Sequence, residues 1–238
     1  MTFTEPFELA SVSNKISGLM VFPEGTGKFR CVILSHGLIS SKESSKYVAL
    51  SERFAEAGVA TCRFDYHGCG ESGGKIGQTT LTIRLDNLSR VADYVLHHNK
   101  INPEKIGIIG SSFGATSALI KAARDARIRC VSLWATPYLL EKEGDGSIDG
   151  IPFQDDIYTD FARYDVLEEA RKVSRALVIH GEVDETVPCA EGQRIYENLR
   201  EPKGIEIVKG GDHVFSNPAH RDRVINLALD WFDTYLPA

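Results

Sequence analysis

The chain has 238 residues, 42% of them hydrophobic and 25% charged, with a formal net charge of −6. That length and balance suit one soluble α/β domain. The acidic balance and the lack of a basic run with interleaved aromatics exclude nucleic acid and anionic membrane as expected partners. The five cysteines, Cys31, Cys62, Cys69, Cys130 and Cys189, show no paired spacing, which fits reduced thiols and predicts a cytoplasmic protein. Residues 1–10 lack the apolar stretch of an export signal, and no run of 18 apolar residues could span a membrane.

In chain order, Phe7–Val12 and Lys15–Val21 read as two short strands turning at Ser13-Asn14, an antiparallel hairpin. Phe29–Ser35 is an almost wholly apolar strand of the kind buried on both faces of a parallel sheet, and it ends at His36-Gly37. Glu43–Ala57 has helical spacing and closes at Gly58. Val59–Tyr66 is the next strand, followed by a glycine-rich loop and a helix over Thr80–His97 that is expected to end at Asn102-Pro103. Lys105–Gly110 predicts a strand, Phe113–Arg124 a helix, and Ile128–Thr136 another buried strand.

From Pro137 to Val173 the rhythm breaks. No sheet strand is expected across these residues, a span of about 37, where ordinary connections in such units run to about 2–6. This stretch, 137–173, reads as a small cap inserted over the active-site face. Strand rhythm returns at Arg175–His180, followed by a helix over Ala190–Leu199, a strand over Ile205–Lys209 and a last helix over Ala219–Tyr235. Strands alternating with helices predict a mostly parallel sheet with helices on both faces and the hairpin at one edge. The whole chain, 1–238, reads as one α/β domain.

Gly110-Ser111-Ser112-Phe113-Gly114 joins the central strand to a helix in a G-x-S-x-G pattern. A serine at such a turn is the candidate nucleophile, with a strained backbone and with glycines that let strand and helix approach. A serine hydroxyl needs a base, and the base needs an orienting group. In open α/β sheets these gather at the carboxyl ends of strands. His213 follows the Ile205–Lys209 strand and is the best base among seven histidines; His180, inside an apolar strand, reads as a satisfied core residue. Asp184 follows the Arg175–His180 strand and is the best acid, with Glu182, Glu185 and Asp212 as competitors. The oxyanion donors are expected to be the backbone N–H groups of Phe113 and Leu38, the latter in the loop after Phe29–Ser35.

Gly68-Cys69-Gly70-Glu71-Ser72-Gly73 mimics a dinucleotide fingerprint. No helix opens at once after it, and no second strand ends in an acid at the required distance, so dinucleotide binding is not expected. No metal-ligand spacing appears, and no cofactor is expected.

Together, His36-Gly37, Asp65 to Ser72, the Ser112 elbow, His180-Gly181-Glu182-Val183-Asp184 and Gly211-Asp212-His213 resemble the α/β-hydrolase fold over nearly the whole chain. Their order, Ser112, Asp184, His213, is that of its catalytic triad. The compact length and small cap are similar to small bacterial carboxylesterases that include feruloyl (cinnamoyl) esterases, and to the serine aminopeptidase-like branch. The resemblance implies a pocket shaped by the cap, with Tyr138, Phe153, Asp156 and Tyr158 as substrate contacts. A small-molecule carboxylic ester is the expected substrate. A peptidase or thioesterase on the same triad, or a non-catalytic binding protein, are the alternatives, and a monomer or a homodimer is left open.

Overall fold

A computed structural model describes residues 2–11, 14–142, 144–148 and 150–237. Its center is an eight-stranded sheet whose order is β1-β2-β4-β3-β5-β6-β9-β10. These strands are β1 (Phe3–Ser11), β2 (Asn14–Phe22), β3 (Phe29–Ser35), β4 (Ala60–Phe64), β5 (Ile101–Ser111), β6 (Ile128–Trp134), β9 (Ala176–Gly181) and β10 (Lys203–Val208). β1 pairs antiparallel with β2, and β2 with β4; every other neighbor is parallel. This is the expected architecture of an α/β-hydrolase, with the hairpin at one edge. The expected turn at Ser13-Asn14 falls partly outside the described residues.

Successive side chains of a strand leave on opposite faces. In β3, Cys31 and Ile33 join one core, while Val32 and Leu34 join the other. That is why the strand reads as apolar throughout. One core is closed by α2 (Leu81–His97), α3 (Phe113–Arg124) and α6 (Cys189–Asn198). The other is closed by α1 (Ser45–Glu56) and α7 (Pro218–Tyr235). Helix starts follow local chemistry: Thr80 accepts from the Ile83 N–H at 3.2 Å, and Asn217 from Ala219 at 2.9 Å just ahead of Pro218.

The expected break at Asn102-Pro103 is corrected. β5 already begins at Ile101, which pairs with Phe29, and Pro103 sits within the strand. The register shifts between Phe29 and Cys31, so the proline falls where the ladder is interrupted.

Between β6 and β9 lie a two-stranded ribbon, β7 (Ser147–Ile148) and β8 (Ile151–Pro152), and two short helices, α4 (Asp156–Phe161) and α5 (Val166–Ala170). The ribbon does not join the main sheet. Phe153, Ile157 and Phe161 are buried in the core shared with α2 and α3. Asp160 fastens this stretch to the start of α2, accepting from Thr82 N at 2.8 Å and Thr82 Oγ1 at 2.6 Å. Among the described residues, no helix is long and apolar enough to cross a membrane.

Candidate active site

Ser112 stands between β5 and α3 with φ 54° and ψ −129°, a conformation non-glycine residues rarely hold. The flanking glycines are required by contact. A Cβ on Gly110 would lie 2.4 Å from Ala115 Cα, and one on Gly114 would lie 2.3 Å from the carbonyl oxygens of Ser35 and His36. The turn is held by Ser112 N–H donating to Trp134 O at 2.8 Å. Ser112 Oγ makes no hydrogen bond to a described residue.

Asp184 follows β9 and His213 follows β10, and the two loops are joined by their backbones. Val183 N–H donates to Gly211 O at 3.0 Å, and Glu182 N–H donates to Val208 O at 3.0 Å. A Cβ on Gly181 would lie 2.3 Å from Gly211 O, so the loops can pass this closely only at glycine. His213 Nδ1 lies 3.0 and 2.9 Å from the two Asp184 oxygens, leaving Nε2 for another partner. Asp184 also accepts from the Thr186 and Val187 amides at 2.9 and 2.8 Å. Burial pushes its pKa up, but bonds from His180, His213 and the Val187 amide outweigh that and hold the carboxyl well below the usual range. Glu182 braces the base loop through Gly210 N–H at 2.9 Å, and Asp212 accepts from Val214 N and Ser216 N. Neither of these competitors meets the His213 ring. Phe215, with φ 54° and fully buried, anchors the base loop edge-on against Trp134 at 6.0 Å.

Two further groups meet this center unannounced. His180 was expected to be a satisfied core residue. Its Nε2 instead lies 2.9 Å from Val187 O and 3.2 Å from Asp184 Oδ2, while Nδ1 is buried without a partner. A carbonyl can only accept, so the proton is on Nε2. The only sequence signal was its place one residue before the strand-end Gly181. Lys46 Nζ donates to Ser111 Oγ at 2.8 Å and lies 5.4 Å from the Tyr47 ring and 5.9 Å from that of Trp134. Burial of the ammonium lowers its pKa to about 8, with the Arg221 charge adding to the shift and Asp212 opposing it.

Leu38 and Phe113 are buried, and neither backbone N–H donates to a described residue. Behind Leu38, His36 Nδ1 lies 2.7 Å from Gly37 O, and His36 Nε2 accepts from Tyr66 N–H at 3.0 Å. Burial lowers the His36 pKa far below its ordinary value, with the charge of Arg84 assisting.

Of the residues expected to touch substrate, Phe153 is buried in the core, Asp156 is exposed in the first turn of α4, and Tyr158 spends its hydroxyl on Gly146 O at 3.0 Å. The Tyr138 amide donates to Glu191 Oε2 at 2.8 Å. Burial raises the Glu191 pKa against the opposing pull of the Tyr138 and Leu139 amides. Residues 137–173 reach the elbow through a residue outside that set: Phe161 packs 5.6 Å from the ring of Phe113. Two open clefts, of about 750 and 530 Å³, lie elsewhere, around Tyr94 and His98 and around Arg124 and Tyr164.

The glycine-rich loop wraps a carboxylate of its own. A Cβ on Gly70 would lie 2.2 Å from Asp65 Oδ2, and Asp65 accepts from Glu71 N, Lys42 N and Lys42 Nζ. Among the described residues, no group of three or more His, Cys, Asp or Glu is placed to hold a metal.

With that geometry in place, residues 46–238 match the family model of the prolyl oligopeptidase family. The YfhR protein of Salmonella typhimurium, itself uncharacterized, is 29% identical over 212 residues, covering 84% of this chain and 68% of its own. The fold is similar to that of Est1E from Butyrivibrio proteoclasticus, solved with ferulic acid bound: TM-score 0.85, 22% identity, 94% of this chain and 96% of that one. The Pyrococcus furiosus esterase Pf2001 gives a TM-score of 0.80 at 22% identity, over 98% of this chain and 93% of its own.

Proposed function

The chain belongs to the prolyl oligopeptidase family of α/β-hydrolases, and on that premise we propose that it is a serine hydrolase of carboxylic esters. The observation that carries the proposal is the strained Ser112 turn on one strand end, with the bonded Asp184–His213 pair on two others. In this reading Ser112 Oγ attacks the acyl carbon while His213 Nε2 takes its proton. Asp184 holds the imidazole in the Nδ1–H form and stabilizes its cation. The Leu38 and Phe113 amides receive the developing oxyanion, each such donor being worth about 3–4 kcal/mol of barrier. His213 returns the proton to the leaving alcohol. Water, activated by the same imidazole, then releases the acid and restores Ser112.

The ester is proposed to carry an apolar acyl or aromatic group. Among the described residues five large hydrophobics are exposed, and four are sequence neighbors of residues assigned here to the site: Ile39 after Leu38, Leu139 after Tyr138, Val183 before Asp184 and Val214 after His213. Such a grouping supports an apolar contact surface. Residues 137–173 are proposed to be the cap over it, because Phe161 ties them to Phe113. The ferulic acid bound to Est1E makes phenolic esters a sensible first choice of substrate.

The test is hydrolysis of p-nitrophenyl esters of increasing chain length and of methyl ferulate, with labeling of Ser112 by a fluorophosphonate read by mass spectrometry. Ser112→Ala is expected to abolish both. Equal rates in wild type and variant on every ester refute the proposal. The family's name favors a second reading, a peptidase on the same three residues. Aminoacyl p-nitroanilides cleaved faster than the matching esters would select it.

A further inference from the structure

Arg84, on α2, is wholly buried, and no carboxylate pairs with it among the described residues. Its Nε and Nη1 have no hydrogen-bond partner among the described residues. A buried cation without a counter-charge is strongly disfavored unless something else requires it. Its remaining contacts all fall on one place. Nη2 donates to His36 O at 2.5 Å and Gly37 O at 3.1 Å. The guanidinium carbon lies 3.7 Å from the ring centroid of Tyr66 and 5.3 Å from that of Phe113.

These contacts have a directional consequence. The cis peptide recorded among the described residues is Glu201-Pro202, so the Gly37-Leu38 peptide is trans. In a trans peptide the C=O and the following N–H point in opposite directions. Arg84 and His36 Nδ1 both hold Gly37 O toward the interior, which turns Leu38 N–H outward, where it has no acceptor. The low pKa of His36 keeps its ring neutral, consistent with Nδ1–H donating to Gly37 while Nε2 accepts from Tyr66. Arg84 therefore touches both residues whose amides donate to no described residue, the Gly37-Leu38 peptide directly and Phe113, at the start of α3, through its ring. Its charge is buried beside the Gly37 carbonyl and the Phe113 ring, where charge acts at longer range than in solvent.

We propose that Arg84 is a positioning residue for the oxyanion site: it fixes the Leu38 amide on the developing oxyanion and sets a desolvated positive charge behind it. This rests on the esterase reading above and deepens it.

The experiment compares wild type, Arg84→Met and Arg84→Lys with p-nitrophenyl butyrate, and measures inhibition by phenylboronic acid, whose boron becomes a tetrahedral anion on the serine. Arg84→Met is expected to lower kcat by about 10–100-fold, short of or equal to the loss of an oxyanion donor itself, with KM within twofold. Boronate affinity should weaken by a similar factor. Arg84→Lys, which keeps the charge without the fork, should recover part of kcat. Removing an unpaired buried charge should leave the thermal midpoint of Arg84→Met equal to or above that of wild type. Wild-type kcat and boronate affinity in Arg84→Met overturn the inference, and so does a change in KM alone. If Arg84→Met does not fold, Arg84→Lys decides: kcat reduced at constant KM supports the inference, and wild-type kcat overturns it. A wild type that neither labels at Ser112 nor cleaves any ester overturns the parent reading and this one with it. Normal labeling with an indifferent Arg84 overturns this one alone.

Discussion

Replacing His180 by leucine tests whether Asp184, the proposed acid, is held in place by His180. Asp184 accepts from four donors: the Thr186 and Val187 amides, His213 Nδ1, and His180 Nε2 at 3.2 Å. His180→Leu removes the last and also strips the donor from Val187 O. A hydrogen bond to a charged acceptor contributes roughly 1.5–3 kcal/mol, and an orphaned buried carbonyl costs a comparable amount. Because leucine also removes the buried, unpartnered His180 Nδ1, we expect a net loss of about 2–3 kcal/mol, which for a chain of this size lowers the thermal midpoint by roughly 5–10 °C. A less firmly held carboxylate orients His213 less well, so kcat should fall about tenfold, or ~1.4 kcal/mol of barrier. That is far less than the ~10⁴-fold typical when the acid itself is lost.

The sign of the pH effect follows. The Asp184 pKa is held down in the fold, so its contribution to stability is complete above the ordinary aspartate value of about 4 and is lost as pH falls through the lower folded value. Leucine at 180 raises the folded value and shrinks that contribution, so the stability gap should be full at pH 7 and narrow below about pH 4. Scanning calorimetry across pH and initial rates on a p-nitrophenyl ester make the measurement. A variant as stable and as fast as wild type at pH 7 refutes the reasoning.

Lys46→Met should be more stable than wild type at pH 7. The Lys46 pKa, lowered to about 8, means the fold disfavors the charged amine below that pH, and the penalty is relieved as pH rises from about 8 toward the ordinary lysine value of about 10.4. The advantage of the methionine variant should therefore shrink over that interval, as read by urea midpoints at pH 7 and pH 10. Phe161→Ala empties a buried site against Phe113 and should cost about 3–5 kcal/mol in urea unfolding. It should also raise KM for methyl ferulate more than for p-nitrophenyl acetate, if residues 137–173 form the substrate cap; equal shifts would count against that role.

Much of this molecule could be read along the chain because its signals are local. Strand β3 was legible over its full extent, Phe29–Ser35, because a strand covered on both faces is apolar at every position. Helix α3 was legible over Phe113–Arg124 because it starts where the elbow must turn. The elbow glycines, the order Ser112, Asp184, His213, and the step from strand end to loop at each of them are all short-range patterns. The strand end at Ile101 was not legible, because Pro103 is tolerated only where pairing with β3 shifts register.

What only the tertiary structure decided is the surroundings of those groups. His180 and Asp184 are four apart, yet their contact depends on how the loop after β9 folds back on itself. Phe161 meets Phe113 across 48 positions of sequence, and Arg84 meets Gly37 across 47. No periodicity or motif records such meetings, since each depends on where helices settle against a sheet. The chain thus marks Ser112, Asp184 and His213, the proposed nucleophile, acid and base, by local pattern. Which buried groups meet them, and that Phe161 packs against Phe113, follow from packing between elements distant in sequence.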